Sequence, residues 1–127
     1  MSKYGKCAVK AVGRIRTTAD DPRTAWAHAA RDVFVDSPSS QNKGCPRDAF
    51  LALCQEGMVG GVRAGAYTRS VLNRKYAIDA VMMLRQNPSF GDNENALWRA
   101  VQGNDGKAHN AQMDVVITLW KEGLISF

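Results

Sequence analysis

The stretch DVVITLWKEGLI (residues 114–125) nearly repeats DAFLALCQEGMV (residues 48–59). Asp, Leu, Glu and Gly recur at matching places, and almost every apolar position in one stretch is apolar in the other. Apolar residues at this spacing are typical of a helix with one buried face. Glu-Gly followed by two apolar residues is typical of a helix end. The repeat therefore predicts that one chain uses the same helix and the same ending twice.

The similarity extends beyond these two stretches. A shift of 72 residues (residue 3 onto residue 75) aligns Lys3-Tyr4 with Lys75-Tyr76 and Trp26 with Trp98. The two quoted stretches align at a shift of 66, and the difference falls in the loop before the third helix. An internal duplication explains this pattern, because one supersecondary unit copied within a chain keeps its spacing. We expect two pseudo-symmetric three-helix halves, at about residues 1–62 and 70–127.

Helix signals recur along the chain, and no segment alternates as a strand does. Ser2 is placed to cap a first helix, and Asp21 followed by Pro22 begins a second. Four further helices are expected, and their predicted extents are 46–55, 71–86, 94–102 and about 111–122, the last capped by Asn110. The sequence therefore predicts an all-α protein of about six helices, forming a single domain over residues 1–127.

Composition narrows the class of protein. Hydrophobic residues make up 45% of the chain and charged residues 23%, as in globular proteins. No apolar run approaches the length of about 20 residues that spans a bilayer, and the charged start is unlike a secretory signal, so no membrane partner is expected. Three cysteines without framework spacing fit a cytoplasmic protein. A net charge of +5 permits nucleic acid or an acidic protein as partner.

The middle third resembles a helix-turn-helix unit with its wing. SSQNKGCPRDAFLALCQEGMV (residues 39–59) is similar to the turn and recognition helix of winged-helix regulators, and GGVRAGAYTRS (residues 60–70) to the wing. The resemblance implies contacts with a nucleic-acid backbone or minor groove. The residues that would make them are Lys43, Arg47, Arg63, Tyr67 and Arg69.

A second resemblance covers more of the chain. It rests on YGKCAVKAV (residues 4–12), SSQNKGCPRDAFLALCQEG (residues 39–57) and HNAQMDVVITLWKEGLI (residues 109–125). These segments are similar to a family of short bacterial proteins without an assigned activity. The resemblance implies a compact helical domain and adds no catalytic residue, cofactor or substrate.

Two polar loops, SPSSQNKGCPR (residues 37–47) and GNDGKAHNAQ (residues 103–112), precede the repeated helix. Polar loops on a rigid scaffold commonly carry function, whereas the same residues also serve as helix caps. The candidate binding residues in these loops, besides Lys43 and Arg47, are Ser40, Gln41, His109, Asn110 and Gln112.

Catalysis would rest on Cys45 at a helix start, with His109 as base and Asn110 orienting the imidazole. The alternative is that Cys45 is a small packing residue. No CxxC or HxxxH spacing occurs, so neither a metal site nor another cofactor is predicted.

The sequence favours a non-catalytic binding module, with nucleic acid as the preferred partner. A protein–protein adaptor and a Cys/His enzyme are the alternatives. A positive patch joining Lys43, Arg47, Arg63 and Arg69 would favour nucleic acid, and a bare apolar patch would favour a protein. A second basic face is formed by Lys3, Lys6, Lys10 and Arg14 of the first helix.

Overall fold

A computed structural model describes residues 1–126, and within them the protein is all-helical, as predicted. Six helices have nine residues or more, and a short helix and a 3-10 turn (Pro88–Asp92) lie between them. The helices are α1 (Lys3–Thr18), α2 (Pro22–Val33), α3 (Pro38–Gln41), α4 (Gly44–Gln55), α5 (Val71–Gln86), α6 (Glu94–Gln102) and α7 (Gln112–Lys121).

The first two helices begin where their capping residues predict. The Ser2 hydroxyl accepts the backbone N–H of Gly5 at 3.0 Å. Asp21 Oδ1 accepts the N–H groups of Arg23 and Thr24 at 2.9 and 3.1 Å, and Pro22 occupies the first helical position. These bonds, led by the one from the Thr24 backbone, lower the pKa of Asp21 because they stabilise its carboxylate.

Two other helix starts differ from expectation. The helix predicted from Pro46 begins at Gly44, directly after α3, which forms inside the predicted loop. The expected cap of α7, Asn110, has a different role, because its backbone N–H donates to Gln112 Oε1 at 2.7 Å. The His109 ring supplies the cap, since its Nε2 accepts the N–H of Met113 at 3.1 Å. A ring can reach this position because Ala111 adopts the left-handed conformation, with φ of 68°.

The two repeated helix endings have the same geometry. Gly57 and Gly123 lie in the left-handed region, at φ of 72° and 71°. After each glycine, the N–H of Met58 or Leu124 returns to a carbonyl in the last turn of its helix, at 3.0 and 2.9 Å. Glycine adopts this conformation without a steric penalty, and the returning bond satisfies a carbonyl that the helix leaves free.

The two endings also pair with each other. Val59 and Ile125 form an isolated antiparallel bridge. The N–H of Gly60 donates to Leu124 at 2.8 Å, and the N–H of Ser126 donates to Met58 at 2.7 Å. These two bonds join corresponding residues of the repeat in both directions, which is the local arrangement of a twofold axis. Phe127, the last residue of the second expected half, lies outside the described residues.

The core is built around α4 and α7, which contact each other. Residues 49–54 of α4 and 115–119 of α7 are buried throughout. Helix α1 packs on α7 while α5 packs on α4, and α2 covers α1. The α1–α7 crossing is close, because a Cβ added to Gly5 would lie 2.9 Å from Thr118 Cβ. Within residues 1–126, no helix is long and apolar enough to cross a bilayer.

Candidate anion-binding groove

Three arginines converge on one surface pocket. Arg23 from the first turn of α2, Arg47 from α4 and Arg69 from the segment before α5 line a pocket of about 640 Å³. Among residues 1–126, Asp48 is the one acidic residue that lines it. Arginine binds oxyanions well, because its planar guanidinium offers several N–H donors and stays charged at physiological pH. The pocket is therefore chemically suited to an anion.

The segment that forms one wall of this pocket is held by hydrogen bonds. Gln55 Oε1 accepts the backbone N–H groups of Tyr67 and Thr68 at 2.9 and 3.1 Å. Arg23 Nη1 donates to the carbonyl of Tyr67 at 2.9 Å. Asp48 Oδ1 accepts from the Thr68 hydroxyl at 3.1 Å and lies 3.5 Å from Arg47 Nε, so this carboxylate pairs with one of the three guanidiniums. The arrangement leaves the pocket wall ordered and its charge positive.

A smaller pocket of about 320 Å³ adjoins the first, because Arg23 and Arg47 line both. It adds Arg31 from the last turn of α2, together with Gln41 and Asn42. We refer to the two pockets together as the arginine groove, defined by four side chains that line it: Arg23, Arg31, Arg47 and Arg69. Its two pockets together present four guanidinium groups to an anionic ligand.

Trp26 lines the smaller pocket and is almost wholly buried. Its indole nitrogen has no hydrogen-bond acceptor within residues 1–126, whereas Trp98 Nε1 donates to the Lys107 carbonyl at 3.0 Å. The Trp26 nitrogen is covered by its neighbours, so it meets a ligand only after a side chain moves. We therefore assign ligand binding in the groove to the arginines.

The structure brings together some of the residues that the sequence singled out. Arg47, Tyr67 and Arg69 line the larger pocket, and Gln41 lines the smaller one. Arg63 does not line the groove, although its carbonyl accepts the Tyr67 hydroxyl at 2.7 Å. Lys43 also lies outside the lining, with its ammonium 5.7 Å from the centre of the Tyr4 ring.

Ser40 has a bracing role beside the groove. Its carbonyl accepts the Tyr4 hydroxyl at 3.0 Å, and its own hydroxyl accepts from Ser37 at 2.8 Å. Gln41 Nε2 donates to the Phe34 carbonyl at 2.6 Å, which ties α3 to the end of α2. These bonds hold the loop from Ser37 to Lys43 against α1 and α2.

Sequence reasoning missed Arg23 and Arg31. Both lie on the exposed side of α2, away from the buried stripe that contains Trp26 and Ala30. Their exposure was readable from helical periodicity. The proximity of Arg23 to Arg69 was not readable, because it depends on how residues 66–70 return to the start of α2.

The second polar loop is bound into the structure. His109 Nε2 is occupied as the cap of α7, and the ring lies 5.3 Å from the Trp98 ring. Burial lowers the pKa of His109, with nearby Asp114 raising it and Lys43 lowering it further. Gln112 is buried, and its Nε2 donates to Asn73 Oδ1 at 3.2 Å. These contacts hold residues 109–112 against the rest of the protein.

The local contacts of Cys45 and His109 do not favour the pairing that nucleophilic catalysis requires. Within the part of the chain that the structure describes, no hydrogen bond joins them, and Cys45 is half-buried at the start of α4. The imidazole nitrogen Nε2 accepts a backbone N–H, so it is not free to take a proton from a thiol.

A separate cleft of about 630 Å³ lies between α6, α7 and the N-terminus and is acidic. It is lined by Asp92, Glu94, Asp114 and Glu122, among others. A hydrogen bond with Asp114, and then burial, raise the pKa of Glu94 to about 7. With four carboxyl groups beside Lys121, this cleft is less favourable to an anion than the arginine groove.

The basic face of α1 is a further positive surface. Lys3, Lys6 and Lys10 line a shallow pocket of about 370 Å³ that also contains Val9 and Val33. Arg14 is turned to Asp20, with its Nη2 3.0 Å from the carboxylate. This face offers three lysines without the enclosure that the arginine groove provides.

Fold and site together define a small all-helical domain with a basic groove and a separate acidic cleft. The chain belongs to DUF6979, a family of unknown function, whose model matches residues 1–126. This match confirms the expected membership of a family without an assigned activity. No curated protein and no solved structure matches the chain.

Proposed function

We propose that this protein is a non-catalytic binding module whose arginine groove holds phosphate groups of a nucleic acid. The observation that carries the proposal is the convergence of Arg23, Arg47 and Arg69 on one pocket, where the three arginines outnumber Asp48, the carboxylate that pairs with Arg47. Arginine and phosphate form bidentate, charge-assisted hydrogen bonds, which are among the stronger polar contacts in proteins.

The burial of α4 limits how the nucleic acid can be contacted. Residues 49–54 of this helix are buried, so only its first turn is available to a ligand. A recognition helix, in contrast, presents one face along its length to the major groove. Binding would therefore rely on phosphate contacts from the groove, and we expect weak dependence on base sequence.

We also propose that residues 1–127 form a single domain that arose by duplication of a three-helix unit. The reciprocal hydrogen bonds around Val59 and Ile125 and the matching helix ends at Gly57 and Gly123 support this origin. The three cysteines are unpaired, which fits the cytoplasmic location expected from the sequence.

The test is a titration of labelled oligonucleotide with wild type and with Arg47→Gln/Arg69→Gln, repeated at several salt concentrations. Both residues line the groove, and neither makes a hydrogen bond to the backbone of residues 66–70. We expect weaker binding and a salt dependence that is flatter by about 1.4 for a single strand or 1.8 for a duplex, because each lost phosphate contact releases one fewer counterion.

Arg99→Gln/Lys107→Gln is the matched control. It removes the same charge from exposed positions in and after α6, which packs against α5 and α7. Unchanged binding by this control is expected. Absence of binding by wild type at low salt would refute the nucleic-acid proposal. If both double variants lose affinity equally, the arginine groove is not the binding site.

A specific observation supports the alternative of a protein–protein adaptor. Val71 and Met82 lie on the same side of α5, three turns apart, and are 78% and 41% exposed. The adaptor is favoured if wild type captures a partner protein that Val71→Ser/Met82→Ser no longer binds. The same partner should still bind to Arg47→Gln/Arg69→Gln.

A further inference from the structure

An aromatic pair with two lysines lies beside the arginine groove. The rings of Tyr4 and Phe34 are 4.7 Å apart at their centres, and both are partly exposed. Lys3 Nζ lies 5.8 Å from the Phe34 ring, and Lys43 Nζ lies 5.7 Å from the Tyr4 ring. The four side chains combine positive charge with aromatic surface at one place.

The loop that carries α3 joins this aromatic pair to the groove. Gln41 and Asn42 line the smaller pocket, and the next residue, Lys43, already lies over Tyr4. The amide of Gln41 donates to the Phe34 carbonyl, so the same side chain contacts both regions. A chain molecule that leaves the groove past Gln41 therefore comes next to the aromatic pair, where exposed Asp32 and Asp36 flank Phe34 in the sequence.

We propose that this surface binds single-stranded nucleic acid, with phosphates in the arginine groove and a base against the Tyr4–Phe34 pair. The inference rests on the proposed function and names the form of its ligand. Bases of a single strand are free to stack on aromatic side chains, whereas bases in a duplex stack on each other.

The shape of the groove argues against a duplex. Arg31 and its neighbours lie in a recess bounded by α2 and the loop around Gln41. A single strand bends at every nucleotide and can place a phosphate in this recess, whereas a duplex is stiff over about 150 base pairs. The buried α4 also provides no helix that could enter a major groove.

The lysines over the two rings do not block a base. Contacts between an ammonium and a ring are weak where water reaches them, so each lysine can turn to a phosphate instead. The rings are held in place meanwhile, because the Tyr4 hydroxyl donates to the Ser40 carbonyl and the pair packs against the core.

The experiment compares three labelled probes at one low salt concentration: oligo(dT), an abasic strand of the same length, and a duplex of the same length. A purely electrostatic site prefers the duplex, because its charge density is higher. We expect wild type to bind oligo(dT) about fivefold or more tighter than the abasic strand, from one stacked base, and tighter than the duplex.

Phe34→Leu tests the aromatic contribution while keeping an apolar side chain against the core. Its affinity for oligo(dT) should fall to that for the abasic strand, with an unchanged salt dependence, because no phosphate contact is lost. Should this variant fail to fold, the comparison of oligo(dT) with the abasic strand on wild type decides alone.

The outcomes separate this inference from the proposed function. Equal affinity for oligo(dT) and the abasic strand, or tighter binding of the duplex, overturns the single-strand inference and leaves phosphate binding by the groove in place. Failure to bind any of the three probes overturns the proposed function, and the inference with it.

Discussion

Replacing Gly5 with alanine should destabilise the protein, because α1 crosses α7 at this position without room for a Cβ. The added atom would lie 2.9 Å from Thr118 Cβ and closer still to the Thr118 hydroxyl oxygen. Real Cβ atoms do not approach heavy atoms so closely, so the two helices must separate or Thr118 must move. Inserting a methyl group into a packed core costs about 1–3 kcal/mol.

Gly13 provides a control within the same helix. A Cβ added there meets nothing within 4 Å, and the position is exposed. Gly13→Ala should therefore stabilise the protein by about 0.5–1 kcal/mol, because alanine loses less backbone freedom on folding than glycine does. Replacing glycine with alanine is therefore expected to lower the stability at position 5 of α1 and to raise it at position 13.

The assay is thermal and urea unfolding of both variants. For a chain of 127 residues, the entropy of unfolding is about 0.27 kcal/mol per degree, so a cost of about 1–3 kcal/mol lowers Tm by about 4–11 °C. If the Gly5→Ala variant is as stable as the Gly13→Ala variant, the close crossing of α1 and α7 is refuted.

A compensating substitution tests the cause. The expected duplication aligns Gly5 with Ala77 and Thr118 with Ala52, both fully buried, and α5 packs on α4 as α1 packs on α7. Gly5→Ala/Thr118→Ala would reproduce that pair of alanines, and we expect it to recover part of the lost stability. The coupling energy in the double-mutant cycle should be about 0.5–3 kcal/mol. Additive effects would show that Thr118 is not the obstacle.

Three further predictions concern single side chains. Asp21→Ala should cost about 1 kcal/mol of stability in urea unfolding, whereas Asp21→Asn should retain most of it as an N-cap, and equal losses would contradict the capping role. The raised pKa of Glu94, about 7 against 4.5, means that its stabilising contribution is fully present below pH 4.5 and is lost as pH rises towards 7. Glu94→Gln should therefore gain stability relative to wild type across that range, and a constant difference between the two proteins would contradict the shared proton. Thiol labelling of the folded protein should reach half-buried Cys45 before buried Cys7 and Cys54, and much faster labelling of Cys45 than of an ordinary exposed cysteine would revive the enzyme alternative.

Much of the local structure could be read from the sequence, because local chemistry determines it. α5 and α6 have the boundaries expected from their patterns, and Ser2 and Asp21 cap the helices that follow them. Gly57 and Gly123 end their helices in the same conformation. In each case the deciding interaction lies within one or two helical turns, so the order of residues is sufficient information.

The candidate site depended on contacts between distant segments. Arg69 could be named as a phosphate ligand, but Arg23 could not, because they meet only after Gln55 fixes residues 66–70 near the start of α2. Lys43 stood beside Arg47 in the sequence, yet it lies over Tyr4 because α3 turns the chain at that point.

The sequence by itself therefore determined the helices and the recurrence of one helix ending, since hydrogen bonds and apolar spacing within a segment decide both. Only the tertiary structure decided which charges share a groove, that His109 caps α7 through Met113, and that the two repeated endings pair at Val59 and Ile125. Those relations depend on the packing of α4 and α7 in the core, which sets the distance between residues far apart in the chain.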